Sequence, residues 1–470
     1  MRTLLLYTIL FVSSLLARGQ EIADYDISVT FFPENPVMYG VPVEPDNYMR
    51  GVTTVTIGRQ LTDTAVFWLH GELMVDSVTV DGKAHSFASE DVLYALNYSY
   101  IANRTVVSGI NPGENRSLRV WYSGFMNPSR TRSLSDYMRI DRDEGVYLRS
   151  YGYSLWFPLF LDDSGDRGSA DFRRVTVDLP AGFRAVITGD MISEQEENGR
   201  YRSEWHPGVT DIFEVQCTAA PFMVEERNGI RVCYRDSQEA AVAVLDYVAG
   251  LRDFCRDRLR PYADNRVFHI MEMPRYGNIS SGNVIGLDTE SFQTFPEMTW
   301  PKSIIAHELV HPYVQLPLAV NNPFYAFFIE GMPSFFQVYL LSGTLPPDIY
   351  NRDEVMHRVE RSYIRKRETG TDSRGNKLPE EKALLEIRAD EIGWYKDNFV
   401  LNDRMWLFMY ELWSRMGESG FAGFLGDLLV LDDIDYPLFE SIVISRLPGY
   451  EDRLHAWLRT TTFTDAMMIQ

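Results

Sequence analysis

The sequence predicts a multidomain α+β protein, with an antiparallel β domain first and a mainly α-helical domain after it. Three observations carry this. Between residues 25 and 225, short runs rich in Val, Thr, Tyr and Phe alternate with Gly, Asn and Asp turns, the pattern of paired strands. From Gln238 the period changes: Ala240-Ala-Val-Ala-Val-Leu-Asp-Tyr-Val-Ala-Gly-Leu-Arg-Asp-Phe-Cys255 has helical spacing, and helices dominate from Lys302 onward. A chain of 470 residues with 45% hydrophobic content also buries more than one core, so two or three domains are expected.

The expected parts are residues 1–19, 20–225 and 226–470. The first 19 residues show one positive charge, a short apolar run and a small-x-small end, which reads as a signal peptide cleaved after Gly19. The run is too short to favour a membrane span and no second span follows, so the mature chain is expected to be exported, periplasmic or extracellular. Cys217, Cys233 and Cys255 allow at most one internal disulfide, and buried free thiols suit a chain this large equally well. A formal charge of −21 without any Lys/Arg run argues against a nucleic-acid partner. Gly370–Pro379, polar and Gly-rich, is the clearest loop and a candidate border of a cleft.

One segment carries chemistry. In His307-Glu308-Leu309-Val310-His311 the histidines lie four apart, so on a helix both imidazoles project from one face toward one ion, with Glu308 beside it. A catalytic zinc takes three protein ligands and keeps a fourth position open. Glu330, after eighteen intervening residues, is the candidate third ligand. It is the lone carboxylate of Phe324–Leu341, a mostly apolar stretch that reads as a buried helix running antiparallel to the first. The apolar Ile304, Ile305, Leu309 and Val310 favour burial of the histidine helix over exposure. One Zn2+ held by His307, His311 and Glu330 is therefore expected, with Glu308 as general base. His70, His85, His206, His269, His357 and His455 lack ligand spacing and read as structural or surface residues.

The HELVH segment, the eighteen-residue gap and Glu330-Gly331 together resemble the gluzincin aminopeptidases, the family of membrane alanyl and puromycin-sensitive aminopeptidases. Arg50–Ile57, Ala65–His70 and Asp76–Gly82 look like that family's opening strands. Trp156-Phe157-Pro158, Phe172–Pro180 and Arg266–Pro274 are similar to its next landmarks, so the likeness spans about residues 25 to 430. The resemblance implies a saddle-like β domain followed by a thermolysin-like zinc catalytic domain that cleaves peptides. It also implies an oxyanion-binding Tyr, for which Tyr395 has about the right spacing, at the start of a helix continuing through Trp413; Tyr410 is the alternative.

Three departures stand out. Asp397 and Asn398 replace the Lys and Gly that usually follow the family's Tyr. Where the family carries G-x-M-E-N, whose Glu binds the substrate's free amine, this chain has Asn283 or a neighbour at the carboxylate's position. Pro312, directly after His311, predicts that the helix kinks or ends at its second ligand. The reading is an exported zinc metallopeptidase, aminopeptidase-like and acting on short peptides. The alternatives are an oligo- or endopeptidase that needs no free N-terminus, and a peptide-binding pseudoenzyme.

Overall fold

Alternating strands need a partner on each edge and a core beneath one face. In the computed structural model the described residues are 20–469, except 39, 61, 97, 127–137, 149–153, 161–168, 212–213, 259–266, 274–278, 315, 317, 319–320 and 396–399. The expected leader, residues 1–19, lies outside them, as do Asp397 and Asn398. The chain divides into two compact units. One comprises Met1–Glu225, Arg231–Ser237 and Val267–Thr289; the other comprises Glu226–Ile230, Gln238–Arg266 and Glu290–Gln470.

The first unit is built on a 9-stranded sheet in which Gln20–Phe31 lies between Tyr48–Gln60 and Ser169–Pro180. Its pairing with Tyr48–Gln60 is antiparallel and with Ser169–Pro180 parallel. Tyr48–Gln60 continues to Gly113–Phe125, and that strand to Leu73–Val80, both antiparallel. Val55, Ile57, Leu118 and Val120 are wholly buried, which is the inward half of the predicted alternation. Each such side chain contributes roughly 1.5–3 kcal/mol of burial free energy. Gly51 is required by packing: a Cβ there would lie 2.2 Å from Cζ of Tyr122, whose ring crosses the strand.

The Trp156-Phe157-Pro158 landmark belongs to this core. Trp156 Nε1 donates to the Val215 carbonyl at 3.2 Å, and Phe157 meets Tyr25 edge-on at 5.8 Å while Tyr25 stacks on Phe172 at 4.8 Å. A 5-stranded sheet runs in the order Met223–Arg227, Ile230–Tyr234, Phe268–Met273, Val284–Asp288, Ile279–Ser281. Phe268–Met273 and Val284–Asp288 are parallel, and the edge strand Ile279–Ser281 is antiparallel to Val284–Asp288. The three cysteines are free and buried, and burial raises the Cys217 and Cys255 thiols well above their ordinary range.

The second unit is helical, with principal helices Gln238–Arg258, Trp300–Val314, Met332–Thr344, Arg352–Thr369, Met405–Leu428, Tyr436–Arg446 and Glu451–Arg459. Asn351 caps Arg352–Thr369 by accepting from the Asp353 and Glu354 amides, and Gly370, at φ 65°, ends it. The Gly370–Pro379 loop folds on itself, with the Asp372 carboxylate accepting from the Arg374 and Asn376 amides at 2.8 Å.

A buried polar network ties the last helices together. Arg404, wholly buried, donates to the Ala456 and Trp457 carbonyls at the end of Glu451–Arg459 and to Glu381 at 2.8 Å. Beside it Lys366 pairs with Asp403 at 2.5 Å; burial pushes the Asp403 carboxyl up to about 6. No helix among the described residues is long and apolar enough to cross a membrane.

Candidate metal centre

The helix Trp300–Val314 begins with Pro301 in its first turn, where a missing N–H leaves no bond unmade. Lys302 Nζ anchors that start on the Phe295 and Met298 carbonyls at 2.7 and 2.9 Å. Ile305, Ala306, Leu309 and Val310 are wholly buried, so helical periodicity turns His307, Glu308 and His311 to the opposite face. The helix runs on through Val314, so of the two outcomes expected from Pro312, a kink or an end, it does not end at His311. The physical reason is position. A proline there forfeits only its own bond to the Glu308 carbonyl, and it falls in the last turn.

Glu330 sits in a π-helical turn, Phe327–Gly331, closed by the Met332 amide on the Phe327 carbonyl, and the α-helix Met332–Thr344 continues from it. Such single wide turns recur at functional sites because they re-aim a side chain without breaking the helix. Gly331 lets Met405 approach: a Cβ there would lie 3.2 Å from Met405 Cγ. This helix packs on the histidine helix.

The result is convergence. His307 and His311 meet edge to face with ring centroids 4.9 Å apart, their Nε2 atoms at 3.3 Å. Glu330 Oε2 lies 3.5 Å from His307 Nε2, and one ligand atom from each of the three residues falls within 4.8 Å of the others. Glu308 Oε2 is 3.8 Å from His311 Nε2. Tetrahedral zinc with bonds near 2.0–2.1 Å has its ligand atoms about 3.3 Å apart. The observed 3.3 and 3.5 Å edges match that, and two imidazoles with one carboxylate are a donor set suited to zinc. The four side chains retain 16–18% exposure, so water reaches them while the surrounding helices remain core.

Three other expectations fare differently. Tyr395 is helical, within Ile392–Tyr395, and the continuation expected after it falls on 396–399, outside the described residues; its hydroxyl donates to the Glu380 carbonyl at 2.7 Å. Burial raises its hydroxyl above the ordinary tyrosine value. Tyr410, the alternative, is committed elsewhere: its hydroxyl donates to Asp353 at 2.8 Å. Asn283 is buried, with its side-chain oxygen accepting from the Gly189 amide and its nitrogen donating to the Gly189 and Val267 carbonyls, so it is an internal strut of the first unit.

Sequence reasoning also passed over a cavity of about 600 Å³ lined by Trp300 and Ser303 from the histidine helix and by Gln337 and Leu341 from the glutamate helix. The available signal was spacing. Trp300 and Ser303 precede His307 by seven and four residues, the positions that share its face.

No family model matches the sequence, and no curated protein matches it. Solved structures do. An M1 zinc metallopeptidase from Deinococcus radiodurans aligns with TM-score 0.66 and 16% identity over 96% of this chain and 97% of its own. Native yeast LTA4 hydrolase aligns with TM-score 0.62 and 14% identity over 95% of this chain and 69% of its own. The fold of this chain, β-rich and then helical, is that of the M1 zinc metallopeptidases.

Proposed function

We propose that the protein is an exported zinc-dependent metallopeptidase, an aminopeptidase acting on short peptides. The observation that carries the reading is the convergence of His307, His311 and Glu330 beside Glu308, with the His307–His311 and His307–Glu330 separations at tetrahedral-edge length and all three ligand atoms within 4.8 Å of one another. These three residues would hold one zinc ion. When bound, zinc polarises the scissile carbonyl and makes water a competent nucleophile near neutral pH. Glu308, one residue from His307 and not counted among the ligands, takes the proton of the attacking water and returns it to the leaving amine. Tyr395 exchanges the Glu380 carbonyl for the developing oxyanion. Support for peptide substrates comes from a variant of the Deinococcus enzyme that holds Tyr-Ser-Ala as substrate.

A second reading, an oligo- or endopeptidase indifferent to the N-terminus, is favoured by one observation: the Asn283 side chain is wholly occupied by backbone groups, so it offers nothing to a substrate ammonium. Hydrolysis of one peptide set with free and with acetylated N-termini separates the two. The aminopeptidase cleaves only free peptides; equal cleavage of both makes the second reading correct. Zinc binding and peptide binding without cleavage of either would leave the pseudoenzyme.

A further inference from the structure

The cavity and the metal cluster share two helices. Trp300 lies seven residues before His307, which is about 10 Å along the helix axis on the same stripe. Gln337 lies seven residues after Glu330, again about 10 Å along its helix. Both helices therefore carry the cavity away from the ligands by the same distance, and an extended chain spans about 10 Å in three residues. Arg358, on the next helix, also lines the cavity; among the described residues it makes no ion pair. Its side chain is exposed.

We propose that this cavity receives the C-terminal residues of a short peptide and that Arg358 binds the terminal carboxylate. The inference rests on the peptidase reading and deepens it by naming the substrate's other end. A guanidinium offers paired donors that match a carboxylate, and a site about three residues from the scissile bond selects tetrapeptides over long chains. Asp348 and Glu354 line the same cavity and Trp300 is 44% exposed beside them, so the terminal side chain that fits is basic.

The test is equilibrium binding of Ala-Ala-Ala-Lys, as free acid and as C-terminal amide, to the zinc-loaded full chain carrying Glu308→Gln, with and without Arg358→Gln. The acid is expected to bind about tenfold more tightly than the amide, and Arg358→Gln to erase that difference by weakening the acid alone. Acid and amide binding within twofold of each other, a preference that survives Arg358→Gln, or no binding of either peptide overturns the proposal. Turnover by the unmodified protein reports the peptidase reading separately, because none of these binding comparisons requires cleavage.

Discussion

His269, in the first unit, is wholly buried, edge-on to Trp205 at 5.0 Å, and among the described residues neither ring nitrogen has a hydrogen-bond partner. His307 and His311, in the second, keep 17–18% exposure and turn their Nε2 atoms toward each other and toward Glu330. His70 resembles His269: buried, with its Nδ1 accepting the Glu72 amide at 3.2 Å. Burial lowers His269 to about 3 and His70 to about 4. What separates the two regions is convergence with partial solvent access, since a neutral imidazole alone in a core has nothing to ligate and nothing to exchange a proton with.

The largest effect expected from that contrast follows His307→Ala. Zinc affinity should fall at least about 100-fold and hydrolysis to background, because two protein ligands hold the ion much less well than three. His269→Ala should leave zinc content at wild-type level, measured by metal analysis of the folded fraction. Zinc loss in both variants would erase the distinction between the two regions.

Glu308→Gln comes next. Turnover should drop about 10²- to 10⁴-fold at unchanged zinc content, as for loss of a general base. Tyr395→Phe sharpens the contrast inside the second unit. If its hydroxyl leaves the Glu380 carbonyl for the oxyanion, kcat falls about 100-fold with KM nearly constant; an unchanged kcat reduces Tyr395 to a strut.

The smallest effect is on stability and belongs to the first unit. His70 and His269 have folded-state values below the ordinary 6.5, so the unfolded chain binds protons that the folded chain refuses. Stability is therefore complete above pH 6.5 and declines as pH falls toward 4, by at most about 1.4 kcal/mol per pH unit for each histidine. Thermal unfolding of the metal-free chain between pH 7 and pH 4.5 reads this, and His269→Phe should flatten the slope. An identical slope in that variant would mean that other groups carry it.

How much of this was legible in the sequence depended on range. The i, i+4 histidines and the alternation around Val55 and Ile57 are local patterns, and both appear in the fold as read. The strands Ile230–Tyr234 and Phe268–Met273 were harder to see, because both are buried at every position and leave no alternation to detect. The wide turn at Glu330 depends on a bond five residues apart that no residue type announces. The partner of Tyr395 comes from 15 residues away and those of Asn283 from 16 and 94, so only tertiary packing could reveal that both side chains are engaged with backbone.

The measurement that bears most directly on the central claim is a zinc titration of the metal-free chain, with hydrolysis of a short peptide bearing a free N-terminus followed at each addition. The rate should rise in proportion to zinc and break at one equivalent per chain. Hydrolysis already present without zinc, or none at any zinc level with one ion bound, would contradict the assignment of His307, His311, Glu330 and Glu308 to a catalytic zinc centre.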